Sequence, residues 1–279
     1  MTTRERRRYW IRERNKQIRI IQPFKKKIAS DLRYEYNRFA AAVENWNGQG
    51  HANTLLLSNR IENSLRTLYS TVGVRYARQA FNDRTIQKGF LTPAEWIQAI
   101  LQYLGDNFYN RGVLRITETT RKHFLDILDK AFNEGWGALE TAEYIRKDPA
   151  IETVIQNRAE MIARTETGRA IHSGQFVGAD KSPFEKQKIW ISAKDNRTRG
   201  NPFNGQKDKA DHYNMDGQTV ELDAAFVDDR SNVELQHPHD PTAPAKDVVQ
   251  CRCTFAVVNK VDENGRLIKK RNSTQYATQ

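Results

Sequence analysis

The sequence predicts an α+β protein: an elongated, mostly helical N-terminal two-thirds followed by a small, loop-rich C-terminal domain that contains β-strands. Three observations carry this. Up to about residue 178, apolar residues recur at three- and four-residue spacing between helix start and stop signals. Beyond Gly178, glycine, asparagine, aspartate and proline become frequent, and the apolar runs shorten to strand length. The composition, 38% hydrophobic and 28% charged, suits extended polar helices. The 279 residues allow one large or two ordinary domains, with ample length for a buried core.

Element by element, Arg4 to Ile21 places Tyr9, Trp10, Ile11, Ile18 and Ile21 among arginines, an amphipathic and very basic helix that Pro23 is expected to interrupt. From Ile28, the positions Leu32, Tyr36, Phe39 and Val43 form one face of a second helix, stopped by Asn47-Gly48-Gln49-Gly50. A long run follows through Leu57, Ile61, Leu65, Leu68 and Val72 towards Phe81, of arm or bundle-helix length. Thr92-Pro93-Ala94-Glu95 is a helix start: a capping threonine, proline in the first turn and glutamate three residues after the cap. Its helix carries Trp96, Ile97, Ile100 and Leu104, and another spans Thr117 to Phe132 and ends at Gly135. A short helix covers Thr141 to Arg146, and Pro149 opens the next, which runs from Ile151 to about Phe176. Strands are expected at Lys188–Ile191, Thr219–Leu222 and Thr254–Val258, joined by long loops that a metal or partner would hold. The chain therefore divides into a basic arm (1–27), a helical domain (28–178), an α+β domain (179–260) and a polar tail (261–279).

The net charge is +11, and residues 1–38 hold 13 Lys/Arg against 4 Asp/Glu, so +9 of it lies there. Such a concentration marks an acidic partner, either the phosphate backbone or an acidic protein surface, with a solvated helix face as the competing account. The candidate phosphate contacts are Arg4, Arg6, Arg7, Arg8, Arg12, Arg14, Lys25, Lys26 and Lys27. Tyr9 and Trp10 have packing as their first role and base stacking as their second. No run approaches the roughly 18 apolar residues of a membrane span, and Met1-Thr2-Thr3-Arg4 opens no apolar signal core, so neither membrane nor export is expected. Cys251 and Cys253 sit too close in sequence for a structural disulfide, which suggests a reducing compartment.

The last third carries the residues of chemical interest: Ala163-Arg164-Thr165-Glu166-Thr167, Trp190, Asp195-Asn196-Arg197-Thr198-Arg199, His212, Asp216-Gly217 and Cys251-Arg252-Cys253. Arg164 and Glu166 point to different faces of a helix, so each can tie it to a different loop: Arg164 to a carboxylate, Glu166 to a backbone donor or to Arg197 or Arg199. Asp195 and Asn196 favour side-chain-to-backbone turns, and Gly217 supplies a positive φ in a tight turn. Two thiols on one face of a strand can meet one ion with His212, which makes Cys251, Cys253 and His212 a candidate zinc set. Asp195, His237 or His239 would be the fourth ligand. Zinc sites usually space paired cysteines two to four apart, so a buried thiol pair without metal is the alternative. No other cofactor is implied. The sequence has no HExxH, no Walker lysine loop, no GxSxG and no dinucleotide glycine fingerprint.

In order and spacing these residues resemble the phage Mu F-like head morphogenesis family, the minor head proteins of tailed bacteriophages. The resemblance spans about residues 115–260 and makes 179–260 its C-terminal domain. Arg164, Thr165, Glu166, Trp190, Asp195, Arg197, His212, Asp216, Gly217 and Arg252 are then a structural signature rather than a catalytic set. Two loops depart from the usual pattern: Gly200-Asn201-Pro202-Phe203-Asn204-Gly205, and Val227 to Asp247. The resemblance implies a non-enzymatic minor capsid protein. It would act in procapsid assembly at the portal vertex and remain inside the virion, with the host cytoplasm as its place of assembly. Its partners would be the portal protein, scaffold or major capsid protein, and double-stranded DNA without sequence preference. Some members carry a fused toxin or transferase domain, for which the tail here is expected to be too short. The alternative is a metal-dependent DNA-processing nuclease centred on Asp195, His212 and the cysteine pair.

Overall fold

The structure, a computed structural model, describes residues 1–45, 57–81 and 91–270. The expected stop at Asn47–Gly50, and the part of the polar tail from 271 to 279, lie outside the described residues. In chain order come α1 (Thr3–Glu44), α2 (Arg60–Leu68), a π-helical turn (Tyr69–Gly73), α3 (Val74–Phe81), α4 (Pro93–Leu104), a second π turn (Phe108–Val113), α5 (Leu114–Glu134), α6 (Ala138–Lys147) and α7 (Pro149–Lys181). The strands follow: β1 (Lys186–Ile191), β2 (Thr219–Glu221), β3 (Phe226–Asp228) and β4 (Val233–Leu235), then α8 (Ala245–Val248) and β5 (Thr254–Asn259). The α+β class is as the sequence predicts.

Pro23 does not break the first helix: α1 runs through it, and through the expected boundary between residues 27 and 28. A proline inside a helix removes one hydrogen bond and costs about 3 kcal/mol. Ile21, Phe24, Ile28 and Leu32 are all buried on one side of the same helix. At about 1.5–3 kcal/mol for each buried side chain, that face outweighs the proline.

The chain forms two compact units, each assembled from separate stretches. One comprises Ile21–Thr67 and Asp106–Arg164 and has helices as its only regular structure among its described residues. Its core holds Ile28, Leu32, Tyr36, Phe39, Leu65, Phe124 and Ile127, with Phe39 and Phe124 stacked at 4.2 Å. The Asp31 carboxylate is buried within it and accepts from Ser64 Oγ at 2.6 Å and from Lys27. Arg158 donates to Thr120 Oγ1 at 2.8 Å, fixing α7 to α5.

The other unit comprises Met1–Ile20, Leu68–Gly105 and Thr165–Gln279. β1 is the centre of an antiparallel sheet ordered β2-β1-β5, with Trp190 opposite Phe255 and Ile189 opposite Thr219. β3 and β4 form a separate hairpin in which Phe226 faces Leu235. Trp190, Met215, Phe226, Leu235, Val248 and Phe255 share one core. The capping box at Thr92 forms as expected: Thr92 Oγ1 accepts from Glu95 N at 3.3 Å and Glu95 Oε2 from Thr92 N at 2.6 Å. Helix α7 reaches the π turn and α3 at backbone contact. A Cβ on Gly174 would sit 2.2 Å from the Gly73 carbonyl oxygen, and one on Gly178 would sit 2.0 Å from that of Ala77.

The expected long loop from Val227 to Asp247 is instead built structure: the end of β3, a turn, β4, further turns and α8. Asp228 holds the hairpin turn by accepting from the amides of Arg230 and Ser231 at 3.0 and 3.2 Å. Three-residue strands carry too little alternation to register as a period, which is why the sequence reads as loop.

A buried His–Cys–Cys centre beneath the signature residues

Trp190 is fully buried in β1 and stands edge-on to His212 (5.2 Å) and to Phe226 (5.3 Å). Beyond β1 the chain turns back through Asp216-Gly217. Gly217 adopts φ +91° and donates its amide to the Trp190 carbonyl at 2.8 Å, the positive-φ turn that the Asp-Gly pair predicts. Asp216 accepts from Ser192 N at 3.0 Å and from two nitrogens of Arg6 at 3.1 Å. Asp195 closes its own turn through Arg197 N and Thr198 Oγ1, both 3.1 Å, and is ion-paired with Arg252. Burial works against the charged Asp195, but the Arg252 guanidinium and these donors outweigh it and hold the carboxyl below its usual range.

Arg252 therefore points one way, and Cys251 and Cys253 on either side of it point the other. Both thiols are buried, as is His212, and the three ligand atoms lie within 4.8 Å of one another. His212 Nδ1 is 3.5 Å from Cys251 Sγ and 3.9 Å from Cys253 Sγ. The hydrogen bond from Cys253 holds the Cys251 thiol well below the usual thiol range, whereas burial pushes Cys253 well above it. His212 also groups with the buried Asp228 and Asp247. The Asp247 carboxyl is raised by burial, and no hydrogen bond of normal geometry reaches either of its oxygens among the described residues.

The structure thus brings Cys251, Cys253 and His212 together, and it leaves out the expected fourth ligands. Asp195 is committed to Arg252, and His237 bonds Tyr103 Oη at 3.0 Å. His239 Nδ1 lies 3.2 Å from His172 Nδ1. Asp195, His212 and Asp216 do not form one group.

The helix signature divides. Arg164 bonds Glu160 at 2.7 Å along its own helix. Thr165 Oγ1 accepts from the amide of Gln250, directly before Cys251, at 3.0 Å. Glu166 pairs with neither Arg197 nor Arg199: it accepts from Arg169 at 2.8 Å and from Tyr69 Oη at 3.1 Å, all three buried. Arg197 is exposed, and Arg199 donates to the Val249 carbonyl at 2.6 Å.

Of the basic residues near the N-terminus, several are engaged. Arg6 holds Asp216, Arg7 donates to the Ala193 carbonyl at 2.8 Å, and Arg14 donates to Gln17 at 3.3 Å. Arg12 pairs with Glu13 and lies over the Tyr9 ring, Lys25 pairs with Glu160 at 2.8 Å, and Lys27 pairs with Asp31. Arg4, Arg8 and Lys26 are exposed and make no ion pair or hydrogen bond among the described residues. Sequence reasoning missed that α1 supplies part of this centre. Tyr9 donates to the Phe255 carbonyl at 3.3 Å and Trp10 to that of Arg252 at 2.8 Å. The signal was the adjacent aromatic pair among arginines, which needs a surface to pack on.

Fold and site together define an α+β protein in which a short antiparallel sheet and a long helix enclose a thiol–imidazole centre. Residues 122–256 match the family described as Phage Mu protein F like protein, so this part of the chain is similar to the family that its signature residues suggest. YqbB of Bacillus subtilis (strain 168) is 27% identical over 134 residues, 48% of this chain, and the match spans 40% of that relative's length. No solved structure matches. Among the described residues, no helix is long and apolar enough to cross a membrane.

Proposed function

We propose that this chain is a minor head protein of a tailed phage. It acts in procapsid assembly at the portal vertex, where it contacts the portal, scaffold or major capsid protein. It is assembled in the host cytoplasm, retained inside the virion, and touches packaged DNA without sequence preference. The observation that carries the reading is the family match over 122–256. The DNA component rests on the exposed cations of α1, above all Arg4, Arg8 and Lys26. Exposed apolar side chains on helices, among them Ile11, Ile18, Leu125 and Phe132, are candidate contacts for protein partners.

The test measures binding of the full chain to double-stranded DNA across a salt series, beside the triple variant Arg4→Ala/Arg8→Ala/Lys26→Ala. Each lost phosphate contact removes about 0.9 from the slope of log affinity against log salt. A shallower slope in the variant supports the DNA role. Binding that is absent, or insensitive to salt, assigns these cations to an acidic protein surface. Co-expression with the portal protein of the same phage then tests the assembly role: co-elution supports it, and separate elution from portal, scaffold and capsid protein alike overturns it.

A further inference from the structure

His212 Nδ1 faces two sulfurs at once, at 3.5 and 3.9 Å. One proton can serve only one of these sulfur–nitrogen pairs, whereas a cation between them serves both. Tetrahedral zinc, with bonds of about 2.3 Å to sulfur and about 2.0–2.1 Å to nitrogen, sets its ligand atoms about 3.6 Å apart. The observed separations fit that figure before any ion is placed.

The other side of the imidazole tells the same way. With Nδ1 turned to the sulfurs, Nε2 is the nitrogen left to face Asp228 and Asp247. Nε2 and both Asp247 oxygens are buried without a hydrogen bond of normal geometry. A carboxylate behind a metal-bound histidine fixes its tautomer and raises its basicity. Asp228 is already occupied by backbone amides, which leaves Asp247 for this part. The surroundings also gain from a staple: the two cysteines are 39 and 41 residues from His212 in the chain, and the nearby strands β2, β3 and β4 have three residues each. A small cleft lined by Ala193, Arg197, Thr198, Arg199 and Gln250 opens onto the group and admits a further ligand.

We infer that His212 Nδ1 and the thiolates of Cys251 and Cys253 bind one zinc-class ion, with Asp247 orienting His212 from behind and water from the cleft completing the tetrahedron. Zinc-class ions bind cysteine as thiolate, so thiol protons leave to solvent as the ion enters. The ion joins the segment before β5 to the turn that carries His212.

The experiment uses the full-length protein, stripped with a chelator under reducing conditions and titrated with cobalt(II). The expected result is one ion per chain, with a thiolate-to-cobalt charge-transfer band, tetrahedral d–d bands, displacement by equimolar zinc(II) and release of protons. Cys251→Ser, Cys253→Ser and His212→Ala should each weaken cobalt affinity more than tenfold, and Asp247→Asn roughly 10–100-fold. Because those variants risk misfolding, the wild-type protein supplies an independent reading. Zinc should protect both cysteines from alkylation and raise the thermal midpoint. No charge-transfer band, or alkylation at the same rate with and without zinc, overturns the proposal. So does a cobalt affinity left unchanged by removing both thiols.

Discussion

The indole nitrogen of Trp10 donates to the backbone carbonyl of Arg252 at 2.8 Å, so the first turns of α1 clasp the residue between the two cysteines. Arg6 on Asp216, Arg7 on the Ala193 carbonyl and Tyr9 on the Phe255 carbonyl continue the same face. Within this unit, the basic N-terminus is part of the packing around the His–Cys–Cys centre. Trp10→Phe keeps most of the apolar ring and removes the donor. It should cost about 0.5–1.5 kcal/mol, the usual worth of one hydrogen bond, seen as a lower urea midpoint at unchanged slope. An unchanged midpoint would mean that the bond contributes nothing.

Glu166 and Arg169 form a buried ion pair one helical turn apart, completed by the Tyr69 hydroxyl. Removing one partner leaves a charge in a place water does not reach, which costs about 3–5 kcal/mol. Arg169→Met should therefore destabilise far more than Tyr69→Phe, for which about 1 kcal/mol is expected. Chemical denaturation of the two variants decides it; comparable small losses would show that the pair is reached by water.

Gly174 and Gly178 are four apart on α7 and meet the backbone of Gly73 and Ala77, themselves four apart. A methyl group added at either glycine lands 2.2 or 2.0 Å from a carbonyl oxygen, so the helices must separate. Gly→Ala ordinarily stabilises a helix by about 1 kcal/mol. Here overpacking should reverse the sign and cost about 1–3 kcal/mol or more. Thermal melts of Gly174→Ala and Gly178→Ala report it, and a rise in midpoint would contradict the close approach.

The parts of the fold that were legible in the sequence are those with many residues per signal. The face Ile28-Leu32-Tyr36-Phe39-Val43, the Thr92 capping box and the Gly135 stop all describe what forms, because periodicity and capping are local chemistry. The strands of Trp190 and Phe255 were legible as apolar runs, whereas β3, β4 and α8 are too short to leave a pattern. Pro23 is a misleading signal, since its local penalty is outweighed by the buried face of Ile21, Phe24 and Ile28 around it. In the candidate site, residue type named His212 as one possible partner of the cysteines, although these lie just before β5 and not in a strand. Asp247 and the Trp10 clasp did not follow from residue type, because only the tertiary fold brings positions so distant in the chain together.

His237 makes stability depend on pH. Its Nδ1 faces the Pro238 carbonyl at 2.9 Å, so that nitrogen carries the proton, and Nε2 accepts from Tyr103 Oη at 3.0 Å. Burial depresses its pKa to about 4 against the opposing pull of Asp240 and the Pro238 carbonyl, with Lys188 and Arg169 adding to the depression. In the unfolded chain the same ring titrates near 6.5. Below that value the unfolded state binds a proton that the folded state refuses, so stability falls with pH until the folded ring itself protonates near 4. The slope in this window is up to about 1.4 kcal/mol per pH unit, or about 3 kcal/mol across it. His237→Gln retains an acceptor for Tyr103 without the titration. Urea midpoints taken between about pH 7 and pH 4.5 should decline less steeply in this variant than in the wild type, by up to that amount. Parallel curves would assign the acid sensitivity to other groups, with the buried His172 and His239 next in line, both depressed in the same direction.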